Sequence, residues 1–173
     1  MEPDTRIEPK LAASERETLL ACLDYQRDTV LQKIAGADDE VLRRRVVPSL
    51  TTLLGAVKHL AYVERWWFRL VFAGEEGPDP WPEDDPDIDF RIEPEETTEQ
   101  VVALFRDEVA RARVIIAAAD LDDRGRGTTR TSRGSTGADF SLRWIVVHVI
   151  EETARHLGHM DIIREQVDGT VGY

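Results

Sequence analysis

The sequence predicts an all-α protein, a four-helix bundle with long crossover connections. Three observations lead there. Four stretches of about twenty residues or more carry apolar side chains at the three- and four-residue spacing of a buried helix face. No stretch shows the period-two alternation of a half-buried strand. The segments between the helical stretches are rich in Gly, Pro, Ser, Thr and Asp, which end helices. The whole chain, residues 1–173, reads as one domain, because that length supports one hydrophobic core and not two.

Residues 1–13 are a lead-in without periodicity. The first helix is expected from Ser14 to Ile34. Ser14 and Glu17 form a capping box, and Gly36 suits its end. Leu19, Leu20, Leu23, Val30, Leu31 and Ile34 supply its buried face. After the basic run Arg43-Arg44-Arg45, Ser49 is the expected N-cap of a second helix running to about Phe72. On it, His59 shares the core stripe with Thr52, Ala56, Val63, Trp66 and Leu70, while Lys58, Arg65 and Arg69 group on the expected solvent face.

An acidic, proline-rich connection follows over 74–96. Trp81, Ile88, Phe90 and Ile92 are its expected anchors, and so long a loop could border a pocket. The third helix begins near Thr97 or Thr98 and is expected to end near Leu121. The Gly- and Arg-rich loop 122–139 is expected to be mobile. Arg124, Arg126, Arg130 and Arg133 would let it act as a flap over an anionic ligand, or simply as a solvated surface. The fourth helix starts near Asp139 or Ser141 and ends at Asp168-Gly169.

Composition narrows the function. A net charge of −12 disfavours nucleic acid and anionic membrane surfaces as partners and leaves a small molecule as the expected substrate. The apolar runs are too short to span a membrane. The opening Met1-Glu2-Pro3-Asp4 is acidic and offers no apolar leader, so the cytoplasm is the expected compartment. The single cysteine, Cys22, excludes an intramolecular disulfide, and its apolar helical surroundings predict a buried thiol. Apolar positions on the first or third helix could support a homodimer.

The residues that carry chemistry lie in His148-Val-Ile-Glu-Glu-Thr-Ala-Arg-His-Leu-Gly-His159. On the helical period, Ile145, His148, Val149, Glu152, His156, His159, Met160, Ile163 and Val167 share one stripe. An ionisable centre on an otherwise apolar stripe needs compensation, because an unpaired buried charge is costly. Glu152 and His156, four apart, point the same way. His59 and Glu152 each lie roughly 15 Å from the start of their helices at about 1.5 Å per residue, so adjacent helices would let His59, Glu152 and His156 meet. Two imidazoles and one carboxylate suit zinc with an open position, and also nickel or ferrous iron. The alternative is a set of buried polar groups that satisfy one another without a metal.

The stretches Leu54-Gly-Ala-Val-Lys-His-Leu-Ala-Tyr-Val-Glu-Arg-Trp-Trp-Phe68 and Ser141-Leu-Arg-Trp-Ile-Val-Val-His-Val-Ile-Glu-Glu-Thr-Ala-Arg-His-Leu-Gly-His-Met-Asp161 resemble the DinB-like superfamily. That resemblance implies a four-helix bundle with a three-residue metal site. In site pattern the chain is most similar to the N-terminal domain of the mycothiol-dependent maleylpyruvate isomerases, and the match assigns His59, Glu152 and His156 as the ligands. Those isomerases carry a further C-terminal domain, which is not expected within these residues. The resemblance implies a divalent-metal-dependent S-transferase or isomerase acting on small molecules with a thiol such as mycothiol. Alternatives are a metal-dependent hydrolase and a non-catalytic, stress-associated metal-binding bundle. Trp66, His148, Arg155 and His159 are candidate pocket or supporting residues.

Overall fold

The computed structural model of the chain describes residues 6–78, 80–128 and 134–171. Four long helices form the body: α1 (Glu15–Ile34), α3 (Leu53–Glu64, continued by a π-helical segment, Arg65–Ala73), α4 (Thr98–Ala117) and α5 (Leu142–Asp168). A short α2 (Asp39–Arg43), capped by the Asp38 side chain, lies between the first two and was not expected from the sequence. The Ser14–Glu17 capping box is present. Thr97 and Gln100 make a second such box at α4, and Ser141 caps α5. Gly169, with φ of 75°, ends α5 in the left-handed conformation. Among the described residues, no helix is long and apolar enough to cross a membrane.

Ion pairs reveal the directions of the helices. Arg143 pairs with Glu15 near the starts of α5 and α1, and Lys33 pairs with Asp161 near their ends, so these two helices run parallel. Lys58 meets Glu96 and Arg65 meets Glu108, so α3 and α4 are also parallel. Arg16 of α1 donates to the Ile116 carbonyl at the end of α4, which sets the two pairs antiparallel. The connection 74–97 must therefore travel back along the bundle. The connection 118–141 joins the end of α4 to the neighbouring start of α5.

Several expectations need correction. The cap of α3 is Thr52, not Ser49: the Thr52 hydroxyl accepts from the Gly55 N–H at 2.9 Å. Pro48 and Ser49 belong to the bends before it. The face of Lys58, Arg65 and Arg69 is not a solvent face. Lys58 is buried and donates to the Arg91 carbonyl and to Glu96, while Arg65 and Arg69 both reach the buried Glu108. α4 stops at Ala117, before Leu121, because the chain turns into successive backbone bonds at Ala118 and Ala119. Cys22 is only partly buried.

The core has two apolar clusters, one around Leu53, Leu54, Phe105 and Met160, the other around Phe68, Phe72, Leu142 and Ile145. The α-to-π junction between them carries a buried ion pair. Arg27 grips both oxygens of Glu64 at 2.7 Å each, and removing either partner of such a pair costs about 3–5 kcal/mol.

The loop expected to be mobile is tied down where the structure describes it. A helix end leaves carbonyls without partners. Here the Arg126 and Gly127 N–H groups donate to the carbonyls of Phe72 and Val71 at 2.8 and 2.9 Å. So close an approach needs glycine: a Cβ on Gly127 would lie 2.1 Å from the Leu70 carbonyl oxygen, and one on Gly137 2.3 Å from that of Val71. Arg124 donates to the Asp139 carbonyl. Arg130 and Arg133 lie outside the described residues.

Gly127→Ala should destabilise the fold by about 1–3 kcal/mol through overpacking. Gly158→Ala, whose added Cβ meets nothing within 4 Å on α5, should stabilise by up to about 1 kcal/mol. Urea midpoints compare the two. A second expectation concerns acid. Burial opposes the Glu96 charge, yet Lys58 and the Glu93 N–H outweigh it and hold its pKa below the ordinary 4.5. The stability from this contact is present above that ordinary value and is lost as pH falls through the lowered one. Glu96→Gln should flatten this acid limb in denaturation profiles taken across pH.

Candidate metal centre

α3 and α5 pack antiparallel, with Trp67 against Trp144 at one end and His59 against His156 further along. This places His59, Glu152 and His156 together. One donor atom from each lies within 4.8 Å of the others. His59 Nε2 is 3.6 Å from Glu152 Oε1, and His156 Nε2 is 3.2 Å from the same oxygen. Both histidines are 8% exposed. The hydrogen bond from His156 and then the nearby His59 imidazole hold the Glu152 carboxyl far below the usual carboxylate range, against the burial that opposes its charge. Burial opposes the His59 cation most, but the bond to Asp89 and the nearby Glu152 carboxylate outweigh it and raise its pKa above the ordinary 6.5.

The acidic crossover supplies a residue that sequence reasoning missed. Asp89 is 1% exposed, and its Oδ2 lies 2.6 Å from His59 Nδ1. The same oxygen accepts from Trp81 Nε1. Phe90 stacks on the His59 ring with centroids 4.3 Å apart and planes 16° from parallel. The anchor residues were legible, but Asp89 was not. It sits in a run with Asp84, Asp85 and Asp87, and nothing in the residue order separates it from them. The one hint was its place between the apolar anchors Ile88 and Phe90.

The other candidates divide. Arg155 is at the exposed rim and donates to Glu152 Oε2 at 2.8 Å and to Glu151. It holds one carboxylate oxygen while the other faces the histidines. His159 is exposed and meets the edge of His156 with centroids 5.4 Å apart. Trp66 is buried against Trp81, which in turn contacts Asp89. The group of three donors does not include His148. That histidine stacks on Trp144 and meets Trp67 edge-on, one turn before Glu152, because the helical drift carries it off the buried stripe.

The residues fit a divalent cation. With its Nδ1 on Asp89, His59 leaves Nε2 buried and without a hydrogen-bond partner, facing a charged carboxylate and a second imidazole. A buried polar atom so placed is normally satisfied, and an ion would satisfy it.

An all-α bundle of this kind is the fold of the DinB-like superfamily. Within it, the chain belongs to the mycothiol-S-transferase family, whose model matches residues 18–169. No curated protein matches the sequence.

If the three residues hold the ion, zinc should raise the melting temperature, with a stabilisation of about 2.7 kcal/mol at a free concentration one hundred times Kd. His59→Ala, Glu152→Gln and His156→Ala should each lose that increment while remaining helical. Thermal denaturation with zinc and with a chelator measures it.

Proposed function

We propose that the chain is a divalent-metal-dependent S-transferase or isomerase that joins mycothiol to small electrophiles, with the metal held by His59, Glu152 and His156. The observation that carries the reading is the buried, unpartnered Nε2 of His59 beside Glu152 Oε1. Membership of the mycothiol-S-transferase family supports the thiol. Zinc is the ion we favour, since two imidazoles and a carboxylate leave it an open position; nickel and ferrous iron suit the same donors. A bound divalent cation lowers the pKa of a coordinating thiol and so supplies thiolate, the nucleophilic form.

The chain's own residues set the conditions. Phe90, Trp81 and Trp66 form an aromatic wall behind His59 that keeps water from its inner side. Arg155 clamps Glu152 Oε2 at the mouth of the site. In transfer, a carbon–sulfur bond forms as the leaving group departs with its electron pair, and the thiol proton passes to solvent. In isomerisation, the thiolate instead adds to one carbon of a conjugated double bond, the bond made single rotates, and the thiolate leaves with its electron pair as the double bond reforms. The reading takes residues 1–173 as one cytoplasmic domain, where low-molecular-weight thiols stay reduced. Val114 on α4, 71% exposed, would lie at the contact of a homodimer.

Electrophiles screened with mycothiol, bacillithiol and glutathione test this. Mycothiol-dependent thioether formation or isomerisation is expected, with a loss of about 100-fold or more in His59→Ala, as befits removal of a ligand that stabilises thiolate. Undiminished turnover in that variant sinks the metal-bound thiolate. If chelation lowers only stability and no thiol gives turnover, the metal is structural.

A further inference from the structure

We propose that Asp89 is a positioning residue for the metal centre: through His59 Nδ1 it fixes the ring so that Nε2 is the donor presented to the ion. This rests on the reading of His59 as a ligand. Asp89 Oδ2 lies 2.6 Å from Nδ1, and both side chains are buried. A carboxylate has no proton to give, so the bond forms when Nδ1 carries the hydrogen, which leaves the Nε2 lone pair free in the neutral ring. Phe90, stacked on the same ring, restricts its rotation about the ring plane. A carboxylate behind the ligand also makes the imidazole a better donor.

The carboxylate is itself held. Trp81 Nε1 donates to Oδ2, and Trp66 packs on Trp81. The crossover is further fixed where a Cβ on Gly55 would come within 2.5 Å of the Phe90 carbonyl oxygen, and where Lys58 binds the Arg91 carbonyl at 2.8 Å. Asp89 therefore reaches His59 from a backbone anchored on both sides, which a chance surface contact would lack. The acidic connection is thus a supporting layer of the centre as well as a link between helices.

The full chain loaded with NMR-active cadmium gives a test that needs no variant. Coupling from the metal to both Hδ2 and Hε1 of His59 is expected, as Nε2 lies beside both carbons. Coupling to Hε1 alone would mean that Nδ1 binds the metal, and would overturn the proposal. Absence of any coupling to His59 with a bound ion elsewhere would overturn the ligand assignment itself, a distinguishable failure. Asp89→Asn should then weaken zinc binding by about 10–100-fold in chelator competition, with helicity retained. Asp84→Asn, at an exposed position of the same crossover, should stay near wild type. A folded Asp89→Asn protein with unchanged zinc affinity would show a merely structural carboxylate. Should that variant fail to fold, the cadmium couplings of the wild-type chain still decide.

Discussion

Two long helices that run side by side in the same direction cannot be joined by a tight turn. The chain must return the length of the first before beginning the second. α3 and α4 are such a pair, and the return path is the segment 74–97. It descends along α3 in register: Gly77 against Leu70, Trp81 against Trp66, Asp89 against His59, Phe90 against Gly55. The topology thereby puts a third layer behind a site that α3 and α5 alone would leave open on one side. Acidity and proline content, which keep the segment from forming a helix of its own, suit it to this role.

Charge buried at the junctions of the bundle is organised on the same plan. Glu64 takes Arg27 from α1, Glu108 takes Arg65 and Arg69 from α3, and Lys58 takes Glu96 from the crossover. Each links elements far apart in the chain and has geometry that satisfies most of the charged atoms, without which burial would be prohibitive. The π-helical segment turns Trp66, Phe68, Leu70, Val71 and Phe72 inward, and its last carbonyls are completed by the glycine loop.

Much of this was legible in the residue order, and the reasons differ by element. The α1 start was plain because its capping box is local chemistry. Helical period and depth allowed His59, Glu152 and His156 to meet if their helices were adjacent, and the resemblance singled them out. What failed depended on contacts between distant segments. Lys58, Arg65 and Arg69 look like a solvent face until Glu96 and Glu108 are brought to them. The glycine loop reads as slack because its partners, carbonyls of the π segment, have no signature in side chains.

One detail of the crossover has an optical consequence. The Trp81 indole N–H rests on the same carboxylate oxygen that holds His59. Indole emission responds to nearby charge and to hydrogen bonding at that nitrogen. A change in the charge at the far side of the imidazole is therefore passed, through one shared oxygen, to a natural fluorophore. The protein carries its own dye for its centre, built from the connection that its helix order made necessary.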